Sequence, residues 1–579
     1  MSSPFFGLDI GASALRAAQQ QLDTAAHNVA NASTPGYSRQ VVSLVESPSY
    51  TIPAFDRSGL PGQIGTGVTV AAITRVRDTF LDGQVQTQTA LQSEWSTRDQ
   101  ELSKVESIFP EPSSSSLGNT ISQYFSAWQD VASDPASMSA RTALTEQASS
   151  LAMQINSDST QLGMISSGID SEVSQQITSV NNIATQIASL NGQIQRVTIS
   201  GNNPNDLLDQ RTQLLTQLSA ILPSTVMTQK DGTITVEVGG TDLVSNVTAR
   251  QVVAGTNSAG HITPTWSDGS AVTLQSGQLK ALLDVRDNDV ASYQTQLDSL
   301  AKGIADSTNT LHEAGTDANG NPGQAIFTYH AGDPAMSLAV NQAVAVNPQL
   351  IAASAAPNTP GDGSVAGLIA DLQNAKSYSA GVAGMDVVGG TDLTTNTTAR
   401  LMTVAADTAV AQTYSFSGTG TTLTLTGADG SHQTLTVADM AAGGTQVLNF
   451  DQLGIKLTVS TDASAKAGAD LVTDFTTPGH NTIVAASLYS PSQTTTDFYS
   501  QLVGQLGTAS SQATEMSQNQ QLVLDQLNTQ VQQVSGVSLD EEATDMLRFQ
   551  HAYQAAARVI TTMDQMLDTL INSTGVVGR

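Results

Sequence analysis

Two apolar seams at opposite ends of the chain constrain its fold more than any other feature. Near the start, Leu8, Gly11, Leu15, Ala18, Leu22, Ala25 and Val29 recur at alternating spacings of three and four. Near the finish, Met546, Phe549, Tyr553, Ala556, Ile560, Met563, Leu567 and Leu570 do the same. That rhythm predicts two long helices, each with one narrow apolar edge. The first edge alternates small with large side chains and the second is mostly large, so the two suit each other as groove and ridge. Ser538 followed by Glu541 reads as a capping box that starts the second helix near Leu539, and Gly575 and Gly578 mark its frayed end. A chain whose ends pair leaves and returns to one place. Two ordinary amphipathic helices on separate cores are the other reading, and it stays open here.

Between the seams the pattern changes several times. Asn31, Pro35, Gly36 and Tyr37 close the first helix, with Pro35 and Gly36 suited to the centre of a type II turn. Val41, Ser43 and Val45 alternate as a strand, and residues 65–76 predict a second. Helix dominates 78–222: one segment from Asp78 to Phe109, one from Leu117 to Val131, long polar helices over 137–197, and Leu207 to Leu222. Ile165, Ile169, Val173, Ile177, Val180, Ile183, Ile187, Leu190 and Ile194 form a thin stripe there, the mark of a helical rod. Residues 226–275 switch to period two, a small antiparallel unit. Helix returns over Gln278 to His312. Residues 321–484 read as β, with short helix around 341–379, and a last long helix covers 495–534. The run Val238 to Arg250 is echoed by Val388 to Arg400, to which no function attaches.

The expected fold class is multidomain α+β: a terminal coiled-coil-like helical hairpin, an elongated helical-bundle domain and β-rich outer domains. The expected division is an N-terminal assembly helix (1–40) pairing with a C-terminal one (538–579). Between them lie a helical rod domain with short strands (41–225), a small β unit (226–275), the rod continued (276–320), a β-rich outer insertion (321–484) and the rod's return (485–537).

Chemistry is hard to find in this chain. Among its 579 residues there is no cysteine, which removes disulfides, thiol nucleophiles and cysteine metal sites. The 22 basic residues against 51 acidic give a net charge of −29, which argues against binding nucleic acid. No apolar run is long enough to span a membrane, and no basic region precedes an early apolar run as in a signal peptide. The seven histidines show no ligand spacing, and His27 and His551 read as helix-surface residues. Asp317, Asn319 and Asn321 begin like a calcium loop, but Pro322 stands where glycine is required and Thr328 where the bidentate glutamate belongs; an Asx-rich turn is expected instead. No nucleotide loop or nucleophile elbow is present. No catalytic, cofactor-binding or metal-binding residue is therefore assigned.

The specific signal lies in the ends. Leu22-Asp-Thr-Ala-Ala-His-Asn-Val-Ala-Asn-Ala-Ser-Thr-Pro-Gly-Tyr-Ser-Arg39 closely resembles the N-terminal signature of bacterial flagellar rod, hook and hook-associated proteins. Gly536 to Ala543 and Phe549 to Ile560 resemble the C-terminal signature of that axial-protein family, and Ser276 to Asp287 resembles a segment of its hook-associated protein 1 (FlgK) branch. The resemblance implies a non-enzymatic structural subunit at the hook–filament junction, exported by the flagellar type III route. It implies self-association in a ring-like layer, contact with hook protein and with the second junction protein (FlgL), and escort by a cytoplasmic chaperone (FlgN). Under it, the assembly interface is expected at Leu8, Leu15, Leu22, Val29, Met546, Phe549, Tyr553, Ile560, Met563, Leu567 and Leu570, and the signature turn at Asn31, Pro35, Gly36 and Tyr37. The terminal helices are expected to order only in the assembly, since a lone helix pair has little core. The alternatives are a hook or rod protein, or a secreted adhesin that binds through the β insertion.

Overall fold

The computed structural model describes residues 5–49, 65–374, 399–406, 412–427, 430–450, 452–453, 455–461, 465–476, 482–485 and 494–573. The chain opens with helix α1 (Phe6–Asn31), an antiparallel ribbon of β1 (Gln40–Glu46) and β2 (Val68–Arg75), and helices α2 (Thr79–Glu106), α3 (Leu117–Ser133), α4 (Met138–Ile199) and α5 (Asn205–Ile221). Strands β3 (Thr225–Thr228), β4 (Ile234–Val238), β5 (Thr241–Ser245) and β6 (Thr248–Ala249) make one sheet, and β7 (Val252–Thr256) pairs with β8 (Ile262–Trp266). Then come α6 (Gln278–Asp284), a π-helical turn (Val285–Val290) and α7 (Ala291–Ala314). Short elements follow: β9 (Phe327–Thr328), α8 (Pro334–Ser337), β10 (Ala339–Val340), α9 (Gln342–Val346) and α10 (Ser364–Asp371). A second β region holds β11 (Ala399–Ala406), β12 (Gln412–Thr419), β13 (Thr422–Gly427), β14 (His432–Thr436), β15 (Thr445–Phe450), β16 (Ile455–Thr461), helix α11 (Gly468–Thr476) and β17 (Thr482–Ala485). Helices α12 (Thr495–Ser535) and α13 (Leu539–Ser573) end it.

Two compact units emerge. The first comprises residues 1–99, 170–283 and 513–579. In it the two terminal helices, α1 and α13, pack along each other. The stripe on α4 is buried from Val173 to Ile194, as its spacing predicts. A buried asparagine ties that helix to the small β unit: Asn191 donates to the carbonyls of Ile234 (2.9 Å) and Asn246 (2.6 Å). Arg211 of α5 donates to Asn191 Oδ1 (2.9 Å) and to the Gly232 carbonyl (2.8 Å), so no polar group of this knot is stranded by burial.

The second unit comprises residues 100–169 and 284–512. Tyr124, Phe125 and Trp128 of α3 are buried, with the Tyr124 hydroxyl 3.0 Å from Thr308 of α7. Sheets β14-β13-β12-β17 and β11-β16-β15 share one apolar core with α11, built from residues such as Phe416, Leu425, Phe450, Leu457 and Phe475. The alternation Thr422-Leu423-Thr424-Leu425 that predicts a strand becomes β13, with both leucines inward. Asp317 accepts from the backbone N–H of Asn319 and of Asn321 (both 2.8 Å), the Asx turn expected there.

Two sequence expectations change. The long polar helices over 137–197 are a single helix, α4, because no proline interrupts the run. The helix over 278–312 is broken by the π-turn, which inserts an extra residue between the apolar positions of α6 and those of α7. Residues 388–398 of the internal echo, together with 375–379, Gly575 and Gly578, lie outside the described residues.

Candidate assembly interface

The interface is built from the seams upward. On α1 the small positions do the packing: Gly11, Ala18 and Ala25 are buried, with Ala17, Thr24 and Asn28 beside them. A Cβ added at Gly11 would sit 2.8 Å from Ile560 Cγ1, so only glycine allows this approach. Leu8, Leu15 and Leu22 are half-buried and Val29 remains 38% exposed. On α13, Ala556 is buried, while Met546, Phe549, Tyr553, Ile560, Met563 and Leu567 are half-buried. The side chain of Leu570 lies outside the described residues. The pair therefore covers its small residues and leaves its large ones part open. On other faces of α13, Leu547, Val559 and Met566 are 59%, 45% and 48% exposed. Apolar side chains thus stay open on α13 beyond the seam as well as within it.

The signature turn orients the pair. Asn31 donates to the carbonyl of His27 (3.0 Å) and accepts from the Thr34 hydroxyl (3.3 Å) at the end of α1. The Tyr37 N–H reaches the Thr34 carbonyl (3.2 Å) across Pro35 and Gly36, and Gly36 has φ +79°, as a type II turn requires. Pro35 and Gly36 are exposed; Tyr37 is half-buried. Burial, then the nearby Asp206, Asp209 and Glu542 carboxylates, push the Tyr37 phenol up, so it acts as a donor.

After the turn the chain enters a polar joint that periodicity does not reveal. Asp209 of α5 accepts from Ser38 N–H (2.9 Å), from Ser38 Oγ (2.7 Å) and from Arg75 (2.8 Å). Arg77 bonds both Asp82 and Ser38 Oγ. Arg39 N–H donates to the Ser535 carbonyl at the end of α12 (2.9 Å), and its guanidinium reaches Glu541 in the first turn of α13 (3.1 Å). At the same place the Ser538 hydroxyl accepts from Glu541 N–H at 3.4 Å, one half of the expected capping box. Asp540, Glu541 and Glu542 also favour that helix N-terminus electrostatically. Among the described residues no cluster of metal-ligating side chains forms, and no helix is long and apolar enough to cross a membrane.

Family models match three stretches of the chain. Residues 8–37 match "Flagella basal body rod protein", residues 529–573 match "Flagellar basal body rod FlgEFG protein C-terminal", and residues 102–327 match "Flagellar hook-associated protein FlgK helical domain". Paired terminal helices of this type around a helical and β excursion define a flagellar axial protein. The Flagellar hook-associated protein 1 of Escherichia coli (strain K12) is 30% identical over 97% of this chain and 98% of its own length. That of Bacillus subtilis (strain 168) is 27% identical over the whole of both chains, and that of Salmonella typhimurium 29% over 97% and 98%. The chain belongs to the flagellar hook-associated protein 1 (FlgK) family. A solved structure of the flagellar hook junction protein FlgK from Burkholderia pseudomallei has a similar fold, with a TM-score of 0.51 at 19% identity, over 79% of this chain and 100% of that one.

Proposed function

We infer that this protein is a structural subunit of the bacterial flagellum, outside the cell at the junction between hook and filament, and that it has no catalytic role. It takes its place among the axial proteins, with hook protein and other junction proteins as neighbours. The observation that supports the mode of assembly is the half-covered seam of α1 and α13: Leu8, Leu15, Leu22 and Val29 with Met546, Phe549, Tyr553, Ile560, Met563, Leu567 and Leu570 as the surface on which neighbouring copies pack in a ring-like layer. On this reading 1–40 and 538–579 are assembly segments, 41–225, 276–320 and 485–537 form the rod, and 226–275 and 321–484 face outward. The second junction protein FlgL follows it, and the chaperone FlgN holds its C-terminal region before type III export.

The chain lacks cysteine, so one introduced cysteine gives a single labelling site. Thr434 is exposed on β14 and suits this use. Labelled flagella carrying Thr434→Cys should show one narrow band between hook and filament. Label along the whole hook would instead support a hook-type protein.

A further inference from the structure

We propose that α4 completes the small β unit as a surrogate edge strand: Asp170, Asn181 and Asn191 are positioning residues that fix the angle at which the helix carries that unit. The proposal does not rest on the assembly reading above. Each of the three side chains meets the backbone of the first residue of a strand. Asn181 Oδ1 accepts from the Val252 N–H (2.9 Å) and its Nδ2 donates to the Val252 carbonyl (2.7 Å), where β7 begins. Asn191 Oδ1 accepts from the Ile234 N–H (3.3 Å) and its Nδ2 donates to the Ile234 carbonyl (2.9 Å), where β4 begins. Asp170 accepts from the Ile262 N–H (3.1 Å), where β8 begins, and its other oxygen lies 3.1 Å from Nδ1 of His261. Two bonds exchanged with one residue are the pattern of a hydrogen-bonded pair in an antiparallel ladder. A primary amide reproduces that pattern because it holds an acceptor and donors side by side.

The strands need such a partner. Among the described residues β7 pairs with β8 alone, and the β4–β5 ladder starts only at Val236, opposite Val244 and beyond Ile234. Val252 and Ile234 are 1% and 2% exposed, so their backbone groups have little access to water. Asn191 is itself fully buried and spends its remaining capacities on Arg211 (2.9 Å) and the Asn246 carbonyl (2.6 Å). Positions 170, 181 and 191 follow one another at about three turns each, so they share one broad face of α4 with its apolar stripe. Leucine at 181 or 191 would extend that stripe but leave a buried N–H and carbonyl bare. Aspartate there would serve the N–H and repel the carbonyl. At 170 an acid suffices, since both of its partners can donate. Apolar burial is non-directional and would let the unit turn about the helix. Bonds at three levels, spread over about 30 Å of helix, fix both rotation and register. The β unit is therefore a fixed bracket, and its outer surface keeps one direction relative to α4.

The test uses the full-length chain, whose lack of cysteine allows a pair of spin labels. Gln186→Cys on α4 and Ser258→Cys at the β7–β8 turn, both exposed, place one label on the helix and one on the β unit. Pulsed electron paramagnetic resonance should give a single narrow distance for this pair. Adding Asn181→Ala and Asn191→Ala should replace it by a broad distribution, while the helix content read by circular dichroism stays at the parent value. A distance that remains narrow and unshifted overturns the proposal. Should that variant not fold, Asn181→Ala alone, at a half-buried position, must speed amide exchange at Val252 by about ten-fold, the effect of one lost backbone hydrogen bond. Amides of α5 over 208–218 should then keep their parent rates. Parent-like exchange at Val252, or equal acceleration in α5, also overturns the proposal.

Discussion

Gly7 and Gly11 lie one turn apart on α1, and replacing each by alanine should have opposite effects. In a helix interior, as at position 11, glycine to alanine stabilises by about 1 kcal/mol through backbone entropy, and by less in the first turn, where Gly7 lies. Against that stands the fit with α13. A Cβ at Gly7 would lie 2.7 Å from Met563 Cε, and one at Gly11 2.8 Å from Ile560 Cγ1. The distances are alike but the obstacles are not. Met563 Cε is the end of a flexible side chain that can swing aside. Ile560 Cγ1 is attached to a β-branched carbon whose rotamer the helix fixes, so the backbones must part. Overpacking of that kind costs about 1–3 kcal/mol. Gly7→Ala should therefore be neutral or slightly stabilising, whereas Gly11→Ala should lose up to about 2 kcal/mol net. Hydrogen exchange along α1 and α13 in the full chain reads both. Pairing Gly11→Ala with Ile560→Ala should recover much of the loss, since the clashing atom is gone. If Gly11→Ala protects α1 as well as Gly7→Ala does, close packing is not what the glycine serves, and the groove-and-ridge account fails.

Other perturbations probe other parts of the molecule. Ile560→Asp places a charge in the seam and should abolish incorporation at the junction; normal motility of that strain would count heavily against the assembly face. Residues 8–29 and 546–567 should gain hydrogen-exchange protection when the monomer is incorporated into the assembly, because the seam is only half-covered until a neighbour packs on it, and equal protection in the two states would contradict it. Removing Asp209 strands Arg75 and should cost about 3–5 kcal/mol, measured by denaturant unfolding. In the second unit, buried Asp158 accepts from Gln154 (2.8 Å), its other oxygen has no hydrogen-bond partner, and burial pushes its pKa from 3.8 up to about 7. A raised carboxyl pKa means stability lost as pH rises from 3.8 to 7, so Asp158→Asn should gain on the parent by about 1.4 kcal/mol per pH unit across that window. His312 shows the opposite sign: burial lowers its pKa from 6.5 to about 4, so its contribution is lost as pH falls through that range, and His312→Gln should flatten that fall in melts from pH 7 to 4.

How much of this was legible in the sequence depends on the kind of interaction. Leu8 to Val29 and Met546 to Leu567 declare themselves because burial on one helix face repeats every three or four residues, and β13 does so because burial on one sheet face repeats every two. The Pro35-Gly36 turn is legible because few residues tolerate its dihedral angles. The polar joint is not legible in this way. Asn28, Asp209, Arg75 and Glu542 have no period, and the partners lie up to hundreds of positions apart. Asn28 stands inside a recognisable signature, yet its hydrogen bonds to Gln40 and Tyr37 appear only in the folded chain. Helix boundaries failed for a related reason: Val285–Val290 carries no proline or glycine, so the sequence gives no sign of the π-turn between α6 and α7.

The seam and the joint divide the work of assembly between two kinds of force. The open side of the seam is apolar and non-directional, so it can supply burial energy to a neighbour but little direction. The joint is polar and buried, and its hydrogen bonds have fixed lengths and angles, so it supplies direction but little net energy. Neither suffices for a subunit that must meet identical neighbours at one angle. Variants should therefore fall into two groups. Those in the seam, such as Ile560→Asp, should weaken incorporation while Gln40 stays protected. Those in the joint, such as Arg39→Ala, which loses the bond to Glu541 at the start of α13, should keep the seam amides of the single chain near their parent values yet present the terminal pair at the wrong angle.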